Sequence, residues 1–180
     1  TSAIYGALSQ AIPRQVVAEC GGQPNLRAQF SGIGRDENRF VFTLFGSGGM
    51  GARPDRDGLH CTPFPSNSIF GSVEAIENFA PLVFWRKEMP VDSGGAGKFT
   101  GGAGQQVLIQ WVSPQPGVVS FRADRLNHPA LGYFGGLAGN NGMAMGAASA
   151  MMGYANARPG YEVRVLLSAA DILARHGRQQ

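Results

Sequence analysis

Charge is the scarcest property of this chain. Of its 180 residues only 15% are Asp, Glu, Lys or Arg, well below the quarter usual in soluble domains. So little charge predicts a surface much of which is covered by other protein. Fifteen basic residues against 12 acidic ones give a net charge of +3, and the Lys and Arg residues are scattered without a run, so nucleic-acid binding is unsupported. Cysteine is nearly absent. Cys20 and Cys61 make neither a disulfide framework nor a CxxC or Cys/His cluster, and they fit a reduced, cytoplasmic setting. No apolar run approaches the ~18 residues of a membrane span, and no signal-peptide pattern is present. The chain begins at Thr1 rather than Met, as expected where an N-terminus has been removed. An N-terminal threonine could act as its own nucleophile and base, but no partner group supports that geometry.

Glycine is what the chain has in plenty, 27 residues, alongside 11 prolines and 43% hydrophobic residues. This is the composition of a globular, loop-rich chain with enough apolar mass for one core, and a single domain over residues 1–180 is expected. The glycines gather where apolar runs stop. Val41 to Phe45 is short, β-branched and aromatic, as buried strands are. Gly46, Gly48, Gly49 and Gly51 follow at once and let the backbone approach a ligand or another backbone. Arg53-Pro-Asp-Arg-Asp-Gly58 then reads as a tight polar turn. This is not a P-loop, because no Gly-Lys-Ser/Thr follows, and Ala52-Arg53-Pro54 does not open the helix that a dinucleotide fingerprint needs. A second dense loop runs from Val91 to Gly104, and a third comprises Leu131–Gly136 with Gly139–Gly142. Long structureless loops inside a domain are uncommon unless functional. Two such loops, each adjoining a strand, are expected to face one place.

The remaining segments predict an α+β chain, strand-rich, with a mixed or antiparallel sheet and a helix at each end. Ile4, Ala7, Leu8, Ala11 and Ile12 have the spacing of one helical face, capped by Thr1 or Ser2 and ended by Pro13, so this helix should bury one side. Val16-Val17 and Leu26 to Phe30 read as short strands, and the turn at Asp36–Arg39 predicts a hairpin into Val41–Phe45. Ser72–Glu77 is mixed in character, and Pro81–Glu88 reads as a strand. Glu74 and Glu77, three apart, lack the positioned partner that acid/base chemistry needs and read as solvated or ion-paired. Gln106–Val112 and Val118–Arg122 are expected to pair as a hairpin through the Pro114–Gly117 turn. Asp124 and Arg125 suggest a structural ion pair, and His128 beside them does not make a metal site, which needs three or more ligands. Met143–Ala157, rich in Ala and Met, reads as a gap-filling interior or interface segment. Tyr161–Leu167 predicts a strand and Ser168–Gly177 a last helix.

These motifs in this order resemble the C-terminal half of the hydantoinase B / 5-oxoprolinase family: Pro-Arg-Gln-Val-Val-Ala-Glu19, Gly-Gly-Gln-Pro-Asn25, Gly46-Ser-Gly-Gly-Met-Gly-Ala-Arg-Pro-Asp-Arg-Asp-Gly58, Ser72-Val-Glu-Ala-Ile-Glu77, Val91-Asp-Ser-Gly-Gly-Ala-Gly-Lys-Phe-Thr-Gly-Gly102 and Tyr133-Phe-Gly-Gly136. The likeness runs from about Ala3 to Gly142, and residues 48–58 and 92–104 are its most specific parts. It implies a portion of an ATP-dependent cyclic-amide hydrolase, acting on hydantoin, 5-oxoproline or another lactam. An A-type subunit would bind ATP-Mg and phosphorylate the substrate. Two alternatives stay open: a subunit of an ATP-dependent ketone carboxylase of the acetone or acetophenone type, and a non-catalytic assembly subunit. Family B subunits are several times longer, and their divalent-metal ligands lie in the N-terminal half, so that half is an expected partner and no metal ligand transfers to His60, His128 or His176. The glycine-rich C-terminal signature is replaced here by Ser168-Ala-Ala-Asp-Ile-Leu-Ala-Arg175. The catalytic residues stay unassigned. The candidate substrate contacts are Gly48, Gly49, Arg53, Asp57 and His60 from the first loop and Asp92 and Lys98 from the second. Arg53 or Lys98 would offset an anion, and glycine N–H groups would orient it.

Overall fold

Alternation organises the first sheet. Leu26–Ile33 (β1) and Arg39–Gly46 (β2) pair antiparallel, with Phe30 opposite Phe42 and Ala28 opposite Leu44. In a strand every second side chain lands on one face, so Ala28, Phe30, Phe40 and Leu44 are buried while Arg27, Gln29 and Val41 face outward. The expected hairpin turn is there: Gly34 N–H donates to Asn38 O at 2.7 Å, and the Asn38 side-chain amide donates to the Asp36 carboxylate at 2.9 Å. One correction applies to β2. It is the edge strand of its sheet and half-buried, not a buried strand.

The computed structural model describes residues 1–21, 26–66, 71–125 and 127–139, and the backbone of 143–145, 152–157 and 162–166. Gly117–Ala123 (β5) pairs with the other edge of β1, and Met152–Ala157 (β7) extends that sheet to the order β2-β1-β5-β7. Leu82–Glu88 (β3), Gln106–Trp111 (β4), Met143–Met145 (β6) and Glu162–Leu166 (β8) form a second sheet, ordered β3-β4-β8-β6. All pairings are antiparallel. The inner faces share one core, in which Val107, Ile109 and Trp111 of β4 meet Phe30, Val119 and Phe121 of the first sheet.

With helices Ser2–Ala11 (α1) and Val73–Phe79 (α2), the chain is α+β and strand-rich, as expected. Ser72–Glu77 leads into α2: the Ser72 hydroxyl accepts Ala75 N–H at 3.1 Å, and Ile76 is driven into the core. Seven residues cannot hold a helix in water, so packing rather than pattern makes this one. Val16-Val17 is not a strand. The helix expected at Ser168–Gly177 lies outside the described residues.

The hairpin expected between β4 and β5 does not form. Each strand pairs elsewhere, β4 with β3 and β8, β5 with β1 and β7, and the Pro114–Gly117 turn carries the chain from one sheet to the other. Trp111 makes that corner: its Nε1–H donates to Gln115 O at 3.0 Å, and its ring lies against Gly117, where no Cβ intervenes. Ser113 is buried there, donating to Ile33 O at 3.1 Å and accepting from Gln115 N–H. Both strands bury alternate residues, a pattern that side-by-side pairing and face-to-face packing satisfy equally.

Candidate functional site

The three glycine loops and the segment after α1 meet and are knitted backbone to backbone. Ala18 N–H donates to Ala52 O, Gly21 N–H to Gly49 O, Met50 N–H to Leu59 O and Gly102 N–H to Met50 O, all at 2.8–2.9 Å. Gly58 N–H reaches Thr100 O, Leu137 N–H reaches Ala96 O, and Gly139 N–H reaches Ala130 O, again at 2.8–2.9 Å. Glycine is required because the chains touch at main-chain distance. A Cβ on Gly48 would stand 2.8 Å from Gly21 Cα, and one on Gly49, which also has φ +96°, would overlap the Gly102 carbonyl. The loops enclose a cavity of about 480 Å³ lined by residues of 13–21, 48–54, 93–104 and 130–139.

Its lining is rich in glycine and includes cationic and aromatic residues. Arg14, Arg53 and Lys98 line it together with Phe99, Tyr133 and Phe134, and Glu19 is the one acid among the lining residues. Glu19 is already neutralised: it accepts Arg125 Nη1–H and Leu131 N–H, each at 3.0 Å, with the two side chains only 13% and 21% exposed. The cavity therefore favours an anion. Lys98 Nζ sits 5.4 Å from the Phe99 ring centroid, and Arg53 spends Nε and Nη2 on Asp57 O at 2.9 and 2.7 Å. Burial, reinforced by the Glu19 charge, pushes the Tyr133 phenol above its ordinary value, and its Oη has no hydrogen-bond partner among the described residues. Burial likewise raises the Cys20 thiol, which accepts Gly51 N–H at 3.3 Å.

Four of the seven sequence-derived contacts, Gly48, Gly49, Arg53 and Lys98, line this cavity. Asp57 and His60 instead staple loop to loop: the Asp57 carboxylate accepts Thr100 N–H at 2.8 Å, and His60 Nδ1 accepts Ala103 N–H at 2.9 Å. That bond requires a lone pair on Nδ1. Asp92 is an exposed residue at φ 55° opening the second loop. Sequence reading missed Arg14 and Tyr133, whose positions only the convergence of distant segments reveals. Arg125, expected beside Asp124, also pairs with Glu19 and donates to Ser2 Oγ at 2.8 Å. Glu77 accepts Phe84 N–H at 2.6 Å, a structural role.

The donor set does not fit the groups that the family resemblance implies. Among the described residues no three His, Cys, Asp or Glu side chains gather to hold a metal. The N–H groups of Met50, Gly51, Gly58, Gly101 and Gly102 are consumed within the protein, so these five are not donors to a ligand. Those of Gly48 and Gly49 have no acceptor among the described residues.

An antiparallel α+β sandwich carrying glycine-walled loops is thus the class of protein, and solved proteins share the fold. The ATP-dependent caprolactamase from Pseudomonas jessenii superposes with a TM-score of 0.69 at 21% identity, covering 96% of this chain and 34% of that one. A nucleotide-free acetone carboxylase superposes at 0.65 and 17% identity, covering 85% and 26%. Caprolactamase subunit beta of Pseudomonas jessenii is 29% identical over 128 residues, 68% of this chain and 22% of that protein. The sequence matches the Hydantoinase B/oxoprolinase family over residues 1–176, and the chain belongs to that family. It spans about a fifth to a third of the length of the relatives it matches. No helix among the described residues is long and apolar enough to cross a membrane.

Proposed function

We propose that this chain is one domain of a hydantoinase-B-type subunit and contributes loops to a cytoplasmic, ATP-dependent cyclic-amide hydrolase. One observation carries the reading: the glycine loops, which lie within the family match, line a cationic, glycine-rich cavity. An unstrained lactam resists water until its oxygen is activated, and ATP, held by an A-type partner subunit, supplies that activation as phosphate. The other half of the B-type subunit holds the divalent metal. This chain's part is positioning. Arg53 and Lys98 face the anionic group, the Gly48 and Gly49 amides orient it, and Asp57, His60 and Asp92 fix the loops that present them. The test is lactam-dependent ATP hydrolysis by the assembly purified from its source. ATP use that requires a cyclic amide and yields the ring-opened amino acid supports the reading; ATP use indifferent to every cyclic amide sinks it.

The fold likeness to acetone carboxylase favours a second reading, carboxylation of an enolisable ketone. ATP use that requires bicarbonate and a ketone would select it.

A further inference from the structure

Helix α1 is mounted inside out. Its inner face is polar and small: Ser2 Oγ accepts from Arg125, Tyr5 stacks on Phe64 with ring centroids 6.2 Å apart, and Gly6 adjoins Tyr133 Oη. Ser9, the one buried residue of the helix, donates to Gly6 O. The apolar face read from the sequence, Ile4, Ala7, Leu8, Ala11 and Ile12, is exposed, so among the described residues the side expected to be buried is uncovered. The helix carries no charge at either end or along its length. A solvated helix face is normally polar.

This face does not stand alone. Leu131, Phe134 and Leu137 of the third loop are also exposed, and all six large side chains, with Ile4, Leu8 and Ile12, are between 37% and 70% accessible. Tyr133 against Gly6, and Arg125 bridging Ser2 to the Glu19 that holds Leu131 N–H, fix helix and loop as one wall. The same third loop and Pro13, just beyond α1, line the cavity. Large apolar side chains left exposed on two linked segments beside a pocket mark an interaction site.

We propose that the outer face of α1 and the third loop dock the remainder of the hydantoinase-B-type subunit, and that this docking completes the wall of the cavity. The occupant follows from length: this chain accounts for 22% of its curated relative and 34% of the solved caprolactamase chain, so most of such a subunit lies outside it and must meet it somewhere. The surface it would meet is apolar and uncharged, as permanent interfaces are. The inference rests on the proposed subunit role, not on the reaction.

Hydroxyl-radical footprinting of the 180-residue chain, alone and joined to the remaining residues of its B-type subunit supplied as a separate polypeptide, tests it. Protection is expected at Leu8, Phe134 and Leu137, while Val41 on the outer face of β2 labels equally in both. Phe134→Glu and Leu8→Glu should weaken that association about tenfold or more each, the loss expected of a buried anchor, and leave the melting temperature of the chain alone unchanged. Three results overturn the proposal: equal labelling of the six residues in both states, association unaffected by both variants, or protection that belongs to a dimer of this chain and persists without the remainder. The readouts separate from catalysis. A complex with the patch protected and no lactam turnover defeats the reaction and keeps the surface; turnover with the patch still labelled does the reverse.

Discussion

Replacing single glycines of the loop seam by alanine separates two costs that the structure assigns to different positions. At Gly48 the backbone is not left-handed, so only contact matters: the new Cβ would stand 2.8 Å from Gly21 Cα and 2.9 Å from its carbonyl carbon and oxygen. Carbon atoms pack at about 3.5 Å or more, so one strand of the seam must yield by about 0.7 Å against backbone that cannot swing aside. Overpacking of this kind costs about 1–3 kcal/mol, reduced by the ~0.4–1 kcal/mol that alanine contributes by restricting the unfolded chain. The net is about 1–2 kcal/mol, or roughly 2–8 °C in melting temperature for a chain of this size. Gly135 supplies the converse: φ is +85° and nothing lies within 4 Å of a Cβ, so Gly135→Ala carries only the left-handed strain, about 1–2 kcal/mol before the same offset. Gly49 combines φ +96° with overlap on the Gly102 carbonyl, and Gly49→Ala should cost about the sum, roughly 2–4 kcal/mol. Urea and thermal unfolding of the full chain measure all three. A Gly48→Ala melting point within about 1 °C of the parent, or Gly135→Ala at least as damaging as Gly49→Ala, would refute the seam.

The two thiols predict an alkaline loss of stability. Burial raises Cys20 and Cys61 above the ordinary value of 9.0, so the folded chain keeps protons that the unfolded chain has released; the contribution is full below pH 9 and is lost as pH rises through the folded values. Urea midpoints should therefore fall above pH 9 by more in the parent than in the Cys20→Ala/Cys61→Ala variant, a difference that isolates the thiols from Tyr133 and every other titrating group, and parallel slopes would refute it. Glu19→Gln leaves Arg125 without its counter-charge beside α1 and weakens the acceptor of Leu131 N–H, at an expected ~2–4 kcal/mol; faster hydrogen exchange at the Leu131 amide is the specific signature, and unchanged exchange there would count against the pair as the link between helix and loop. In the assembled enzyme Arg53→Ala and Lys98→Ala should each lower kcat/KM about tenfold or more, the value of one charge-assisted contact, and a variant with unchanged turnover removes that residue from the site.

Local signals alone determined a good deal. Period-2 runs with turn chemistry between them specified β1, β2 and their hairpin, because the pattern and the Asp36–Asn38 turn act within a few residues. The glycine loops were legible as special because no side chain fits where backbones touch, and the family followed from their order. Tertiary structure decided the rest. Whether β4 and β5 lie side by side or face to face depends on which strands compete for their edges, and the Trp111 corner settles it. Arg125 reaches Glu19 because the fold brings a carboxylate 106 residues away within 3.0 Å, a partner that no local reading offers. The outward apolar face of α1 was hidden for the same reason: periodicity reports that a helix has a face to bury, and only the packed structure reveals that this face is left exposed among the described residues.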